Sequence, residues 1–332
     1  MKNRNPTVSV IMPAFNAAPY IAAAIESVLQ QTYTPIELIV VDDGSKDDTR
    51  RIAQRYPSEL VQVFSTENRG QSAACNLGFS KSIGEYIKFF DADDLLAPEH
   101  IALQANRLAS RPDCIATGEV WRFWQKPAQD SLYEPLANWK DLHPLDWLIA
   151  DCGKGLGMMQ AGLFLFPRQF VEQSGGWAEQ LTLLNDLDFC SRVLLQANRV
   201  LYCPGARLYY RSGLSHSLSA QHQPKHLQSS FQSLEKTTRL LLGAEDSPRV
   251  RSVLARYWKA RSFHYYPTSP RLFRRAEVWI DTLGGSNLAP FGGFSGILSR
   301  FIGWKTVKWM HLWKNSFSPK TAASHTRNSP SE

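Results

Sequence analysis

Aspartates recur just after the apolar runs of the first hundred residues in this 332-residue chain. Asp42 and Asp43 follow one run, and Asp91, Asp93 and Asp94 follow another. Five carboxylates at one edge repel one another unless a cation or hydrogen-bond donors offset them. Mg²⁺ and Mn²⁺ take oxygen ligands, and Mg²⁺ is commonly held by one or two carboxylates together with substrate phosphates. The pattern therefore favours a site for a divalent metal and a diphosphate.

Each acidic segment also has a purely structural interpretation. Asp91 and Asp93 fit solvated turn residues, with Asp94 as a cap of the following helix. The pair Asp42–Asp43 fits a turn that leads into the next helix. The D-x-D spacing alone is a weak signal, and only the agreement of several strand ends favours a binding site.

Alternating strands and helices are predicted to position these residues. Apolar runs predict strands at Val8–Met12, Ile36–Val41, Leu60–Phe64 and Tyr86–Phe90. Helical spacing predicts helices at Ala17–Gln31, Asp47–Tyr56, Gln71–Lys81 and Pro98–Ser110. This alternation indicates an α/β fold with an open, mostly parallel sheet. Ligands of such sheets bind beyond the carboxyl ends of the strands, which is where the aspartates lie.

The charge of the chain is divided unevenly between its two parts. Residues 1–220 hold 20 Lys and Arg against 24 Asp and Glu, a net charge of −4, whereas residues 221–332 hold 17 against 6, a net charge of +11. This asymmetry predicts two regions with different partners. The ordinary composition, with 43% hydrophobic and 20% charged residues, excludes a wholly disordered, collagenous or repeat-dominated protein.

Cysteine usage and the apolar segments bear on the compartment. The five cysteines form no CxxC pair, which argues against a disulfide framework or a structural zinc site. The polar N-terminus lacks the pattern of a signal peptide, and no apolar run of about 18 residues occurs. We therefore expect a cytoplasmic protein, with peripheral attachment to the inner face of a membrane as an option.

The strand-end segments together resemble glycosyltransferase family 2, whose members are inverting enzymes of the GT-A fold. The matching segments are Val8–Asn16, Glu37–Ser45, Glu67–Gly70 and Gly84–Asp94. The resemblance extends from about Thr7 to Ser219. It implies transfer of a sugar from a nucleotide-diphosphate sugar, with UDP as the expected nucleotide, to a hydroxyl of a saccharide or lipid-linked acceptor.

The resemblance also implies roles for individual residues. The positions at which the family contacts the nucleotide sugar are here Pro13, Ala14, Asn16, Asp43, Gly70, Asn76 and Asp91. Asp93 matches the residue that holds the metal, Mn²⁺ or Mg²⁺, on the diphosphate. Cys75 stands where the family often has an arginine, a departure that bears on nucleotide affinity or identity.

An inverting transfer needs a base on the face of the sugar opposite the leaving group. Gly175–Trp177 followed by Asn185–Asp188 resembles the family's Gly-Gly-aromatic turn and the Glu-Asp-x-Asp that starts a helix. The match makes Asp186 the general base, with Asn185 in place of the usual glutamate. The alternative for Asp186 and Asp188 is capping of the helix N-terminus.

A further loop follows the last predicted strand of this region. The segment Leu208–Ser219 resembles the family's Tyr-Arg loop, which could close over the diphosphate. By that resemblance Arg211 would contact the diphosphate and His216 would contact phosphate or metal. A Gly- and Ser-rich surface connection is the equally open alternative.

The basic C-terminal part predicts helices at Leu227–Leu242, Pro248–Tyr265 and Leu272–Leu283. The segment Phe291–Trp313 mixes aromatic and basic residues, as helices at anionic membrane surfaces do. A helical subdomain packed on the catalytic domain is the alternative, and no nucleic-acid partner is expected because no recognition motif is visible. We predict a catalytic domain over 1–220, a helical basic extension over 221–315 and a disordered tail over 316–332.

These observations predict an inverting, metal-dependent glycosyltransferase for surface polysaccharide or glycolipid synthesis. One alternative is a catalytically inactive GT-A domain that binds carbohydrate or acts as a scaffold, against which the retained Asp93 and Asp186 argue. A second alternative is a sugar-phosphate nucleotidyltransferase. That class needs a Gly-rich, basic phosphate loop after the first strand, and Pro13–Asn16 is not such a loop.

Overall fold

A computed structural model describes residues 5–153, 157, 159–214 and 223–317, with side chains described as far as residue 313. The described residues as far as Ser286 form one compact unit, and those from Asn287 onward form a second. The larger unit contains the sheet and every acidic segment singled out above.

The first half of the larger unit alternates strands and helices as predicted. Its strands are β1 (Val8–Ala14), β2 (Ile36–Asp42), β3 (Val61–Ser65) and β4 (Tyr86–Phe89), and its helices are α1 (Ile21–Leu29), α2 (Thr49–Ala53) and α3 (Gln71–Lys81). These four strands pair in parallel in the order β3–β2–β1–β4. Every residue of β1 is buried, which accounts for its apolar sequence, interrupted only by Ser9. Gly78 lets α3 approach the sheet, because a Cβ there would clash with the side chain of Ile11.

The second half of the sheet is mixed. Its strands are β5 (Leu95–Leu96), β6 (Cys114–Phe123), β7 (Phe164–Pro167) and β8 (Arg199–Arg211), and its helices are α4 (His100–Leu108), α5 (Pro127–Asp130), α6 (Pro144–Cys152), α7 (Arg168–Gln173) and α8 (Asn185–Leu194). Strand β7 runs antiparallel to both β4 and β6, and β8 runs parallel to β6. The complete order is β3–β2–β1–β4–β7–β6–β8–β5. The extended sheet brings the end of β8 beside the acidic segment that follows β4.

A fully buried lysine joins the two halves of the sheet. The amine of Lys88 in β4 donates to Gly162 O at 2.8 Å, Phe164 O at 3.1 Å and Gln104 Oε1 at 3.1 Å. Gln104 Nε2 in turn donates to Leu163 O at 2.7 Å. Burial lowers the pKa of Lys88 well below its usual range. The contacts fix residues 162–164, which follow the segment that reaches the candidate site.

Three helices complete the larger unit: α9 (Pro224–Ala244), α10 (Pro248–Tyr265) and α11 (Pro270–Thr282). They lie close to their predicted ranges. Trp258 of α10 is buried against Phe231 of α9, with ring centroids 4.9 Å apart, and its Nε1 donates to Thr238 Oγ1. Arg249 is paired with Asp146 of α6 at 2.6 Å. The ion pair joins α10 to α6, while a catalytic domain ending at residue 220 stays a prediction.

The second unit contains α12 (Gly293–Ile302) and α13 (Trp304–Phe317). Of the tail predicted over 316–332, only the first two residues are described, and they end α13. Among the described residues, no helix combines the length and the apolar character needed to cross a bilayer.

Replacing Lys88 with methionine should destabilise the protein by about 2–4 kcal/mol, because buried carbonyl oxygens would lose their donor. Urea unfolding measures this change. The control Lys81→Met removes an exposed lysine and should stay within about 0.5 kcal/mol of the parent protein. A Lys88→Met protein as stable as the parent would show that this amine does not hold the two halves together.

Candidate active site

The acidic segment after β4 forms a compact group of three carboxylates. One oxygen each of Asp91, Asp93 and Asp94 lies within 4.8 Å of the others, an arrangement able to hold a metal ion. Asp91 and Asp94 are fixed by hydrogen bonds from neighbouring residues. By contrast, the carboxylate of Asp93 receives no hydrogen bond from another described residue. Asp93 is therefore the member of the group best placed to give its oxygens to a cation.

Two glutamines hold the acidic group. Gln71 Nε2, at the start of α3, donates to Asp91 Oδ1 at 2.8 Å. Gln160 Nε2 donates to Asp91 Oδ2 at 3.2 Å and also to Asp94 Oδ2. Neutral donors of this kind lower the cost of keeping the carboxylates ionised without supplying a competing positive charge. We did not predict either glutamine.

The predicted base, Asp186, lies in the first turn of α8 and faces the same acidic group. Its Oδ1 accepts a hydrogen bond from Ala161 N at 2.8 Å. Asn185 Nδ2 donates to Gln71 Oε1 at 3.0 Å, which connects the start of α8 to the start of α3. The side chain of Asp186 thus accepts a hydrogen bond from a neighbouring segment.

Burial and mutual repulsion set the protonation of the site. Burial first, and then the charge of Asp91, raise the pKa of Asp186 to about 7. The same two causes raise the pKa of Asp93 to about 7, partly offset by the positive charge of Arg211. A carboxyl group with a pKa near neutrality can accept a proton during a reaction and release it afterwards. A bound cation would instead favour the ionised form of Asp93.

Arg211, at the end of β8, lies beside Asp93 and Asp94. Its backbone N–H donates to Asp94 Oδ1 and its Nε donates to Asp93 O, both at 2.8 Å. The guanidinium also lies over the rings of Phe123 and Tyr20, at 4.4 and 4.8 Å from their centroids. The structure thus brings Arg211 to the site, whereas His216 lies outside the described residues.

Four of the residues predicted to contact the nucleotide sugar, Pro13, Ala14, Asn16 and Asp43, lie at the ends of β1 and β2. Ala14 ends β1, next to Pro13, and its carbonyl accepts from Asp43 N at 2.8 Å. Asn16 Oδ1 accepts from Lys46 N at 2.8 Å. Asp43 Oδ1 and Oδ2 accept from the backbone N–H groups of Arg69 and Gly70, each at 2.8 Å. Asp43 therefore ties the end of β2 to the start of α3, and burial raises its pKa.

Asn76 holds a turn in position. Its Nδ2 donates to Trp177 O at 2.9 Å and its Oδ1 accepts from Trp177 N at 2.8 Å. Gly176, at φ 72°, passes close by, because a Cβ there would lie 2.9 Å from Asn76 Oδ1. The neighbouring Cys75 is buried, and burial together with the nearby site carboxylates raises its pKa well above the usual value.

Helix α9 supports the turn that precedes Asp186. Ser229 Oγ accepts from Thr182 N at 2.8 Å and Leu183 N at 3.0 Å, and it lies 3.0 Å from Leu183 O. Ser233 Oγ donates to Leu184 O. Leu184 adopts φ 58°, a left-handed conformation that costs about 1–2 kcal/mol for a residue of this type. We did not predict these serines, because they come from a helix some 45 residues further along the chain.

Comparison with known proteins agrees with this geometry. Residues 9–167 match the model of the family described as glycosyl transferase family 2. An uncharacterized glycosyltransferase from Rickettsia typhi is 45% identical over 104 residues, which are 31% of this chain and 32% of that protein. The aligned part thus spans about a third of the length of this relative. The predicted resemblance is confirmed over residues 9–167, and its predicted continuation to Ser219, which contains Asp186 and Arg211, stays a prediction.

Solved structures show the fold over nearly the whole chain. The crystal structure of residues 1–349 of Staphylococcus aureus TarS in complex with UDP-GlcNAc covers 93% of this chain and 92% of that piece, with a TM-score of 0.67 and 17% identity. The mannosyltransferase PcManGT from Pyrobaculum calidifontis, in complex with GDP-Man and Mn²⁺, covers 95% of this chain and 88% of its own, with a TM-score of 0.54 and 18% identity. The expected GT-A fold is confirmed.

Removing both serines of α9 should loosen the start of α8. Each lost hydrogen bond is worth about 1 kcal/mol, so amide exchange of residues 181–190 in Ser229→Ala/Ser233→Ala should rise about tenfold or more. Hydrogen exchange read by mass spectrometry measures this rate.

The matched control is Ser230→Ala, a buried serine of the same helix that donates to Leu227 O within α9. It should leave exchange at 181–190 unchanged. Equal exchange in the double variant and the parent protein would mean that α9 does not hold this turn.

Proposed function

The chain carries a glycosyl transferase family 2 segment over residues 9–167, and we propose that it transfers a sugar, with inversion, from a nucleotide-diphosphate sugar to an acceptor hydroxyl. The observation that carries this proposal is the pairing of Asp186 with the carboxylate group of Asp91, Asp93 and Asp94. Asp186 lies in α8, whereas the three other carboxylates follow β4. Burial and the charge of Asp91 raise the pKa values of Asp93 and Asp186 to about 7.

We propose UDP as the nucleotide of the donor. Support comes from TarS, whose structure contains UDP-GlcNAc, while the GDP-Man complex of PcManGT keeps GDP as the alternative. The nucleotide would lie along the ends of β1 and β2, against Pro13, Ala14 and Asn16. Gly70 leaves room beside it, since nothing lies within 4 Å of the position where a Cβ would be. Asp43 and Asn76 would shape this edge through the backbone groups they hold.

A divalent metal fits the donor set of the acidic group. Its ligand atoms are carboxylate oxygens, which Mg²⁺ and Mn²⁺ prefer. Asp93 would hold the ion together with the diphosphate, while Asp91 would remain fixed by the two glutamines and available to the ribose. When bound, the ion supplies charge stabilisation to the departing diphosphate. Arg211 would add a second positive charge on the same side.

The chemical step is a single displacement in which Asp186 takes a proton. The acceptor oxygen forms a bond to the anomeric carbon while the bond from that carbon to the diphosphate breaks. The acceptor proton passes to the carboxylate of Asp186, and the nucleoside diphosphate leaves with the bonding electrons. Attack opposite the leaving group inverts the anomeric configuration. The hydrogen bond from Ala161 N keeps one oxygen of Asp186 in place, leaving the other to accept the proton.

The acceptor is proposed to be a saccharide or a lipid-linked saccharide, as in surface polysaccharide or glycolipid synthesis. Gln160 supports a sugar ligand, because its buried Oε1 meets no donor among the described residues. A buried hydrogen-bond acceptor that receives no hydrogen bond costs free energy, and the hydroxyl of a sugar could donate that bond. Gln160 contacts Asp91 and directly precedes Ala161, whose N–H orients Asp186. The hydroxyl would therefore belong to the sugar at the reacting centre.

Asp186→Asn should lower kcat about 100- to 10,000-fold, because it removes the base. The dissociation constant of the donor should stay unchanged, because the asparagine side chain has the same size and shape as that of aspartate. The assay is turnover of UDP-glucose, UDP-galactose, UDP-GlcNAc and GDP-mannose with Mn²⁺, with donor binding followed by calorimetry. The parent protein's kcat should fall as the pH drops below about 7, since protonated Asp186 cannot act as a base.

The matched control is Asp188→Asn, because Asp188 lies on the same helix but is paired with Arg192 at 2.7 Å. Its effect should appear as a lower melting temperature with kcat largely retained. Retention of more than about a tenth of kcat in Asp186→Asn would exclude Asp186 as the base. Donor binding without turnover in the parent protein would favour the inactive, carbohydrate-binding alternative.

A further inference from the structure

Helix α12 carries its large apolar side chains on its outer face. Phe294 is 79% exposed, Ile297 is 57% exposed and Phe301 is 82% exposed. Positions separated by three, four and seven residues share one side of a helix, so these three side chains form a continuous stripe. We call this stripe the outer face of α12. Soluble proteins seldom expose so large an apolar patch without a partner.

The opposite side of α12 carries the small residues Ser295, Gly296 and Ser299 beside a half-buried Leu298, and Ser295 is turned toward α13. Ser295 Oγ lies 3.2 Å from Nε2 of His311, and the ring of Phe291 contacts the same histidine at a centroid distance of 5.1 Å. A helix in a water-soluble bundle buries its large apolar stripe and exposes its small polar residues. Helix α12 does the reverse, so its outer face is suited to a surface outside this pair of helices.

The charge of this region selects the kind of surface. From Asn287 to Phe317 the sequence contains no Asp or Glu, and its basic residues are Arg300, Lys305, Lys308 and Lys314. Trp309 and Trp313 of α13 are more than half exposed. Tryptophan and basic residues beside an apolar stripe are typical of helices that lie in the interface of an anionic bilayer. A second copy of this chain would bring like charges together, whereas anionic headgroups would neutralise them.

We propose that the outer face of α12 inserts into the interfacial layer of an anionic lipid bilayer, with the neighbouring basic residues at the headgroups. The helix has only 10 residues, which at about 1.5 Å per residue suits a position in the membrane plane rather than across it. Attachment of this kind would keep the protein at a membrane surface whichever acceptor it uses, and it does not depend on the chemistry proposed for the acidic group.

Co-sedimentation of the full chain with vesicles tests this proposal. The vesicles contain phosphatidylcholine alone or with about one third phosphatidylglycerol. The parent protein should sediment with the anionic vesicles, bind the neutral ones more weakly and dissociate progressively as salt is raised. Phe294→Gln/Phe301→Gln should weaken binding at least about tenfold, and Arg300→Gln about fivefold.

The control Ile83→Gln/Val278→Gln removes two residues of the larger unit that are 80% and 65% exposed, and it should bind vesicles like the parent protein. Melting temperatures of all variants should match, because each position is at the surface. Absence of binding to anionic vesicles, or equal binding by the Phe294→Gln/Phe301→Gln protein, would overturn the proposal. A parent dimer that becomes monomeric in that variant, without vesicle binding by either, would also overturn it and assign the face to a second copy.

Discussion

The repulsion among carboxylates gathered at the carboxyl edge of the sheet is the constraint on which the rest of the structure depends. Asp91, Asp93, Asp94 and Asp186 are gathered where burial alone would favour their neutral forms. The protein offsets this cost with neutral donors and with a single positive charge, that of Arg211 beside Asp93. Glutamine amides, two backbone N–H groups and the side of one arginine surround the carboxylates, so negative charge remains available for a cation.

The need to offset this repulsion explains how the surrounding helices and segments are arranged. Helices α3 and α8 begin beside the acids, and the hydrogen bond between Gln71 and Asn185 joins their first turns. Lys88 holds the segment that supplies Gln160 and Ala161. Among the described residues, its buried amine donates to the carbonyl oxygens of Gly162 and Phe164 and to no carboxylate. Helix α9 holds the strained turn at Leu184 from outside the family segment. Support for the proposed base thus comes from segments before and after it in the chain.

Much of this arrangement could be predicted from the sequence, because parallel strands buried on both faces appear as apolar runs and their ends carry the polar residues. The runs before Asp42 and Asp91 predicted β2 and β4, and they placed the aspartates at one edge. The roles of Gln71, Gln160 and Ser229 could not be predicted in this way. A neutral polar residue at the surface cannot be told by sequence from one in a buried hydrogen-bond network. Their roles appear only when distant segments meet, as for Ser229 and the turn before Asp186.

The most direct test of the central claim is to locate Mn²⁺ by anomalous diffraction in crystals grown with UDP. The account predicts a peak within about 2.0–2.6 Å of a carboxylate oxygen of Asp93, in contact with the diphosphate, and Asp186 outside the coordination sphere. A peak coordinated by Asp186, or diphosphate bound with no metal at Asp93, would contradict the separation of metal ligand and base on which the account is built.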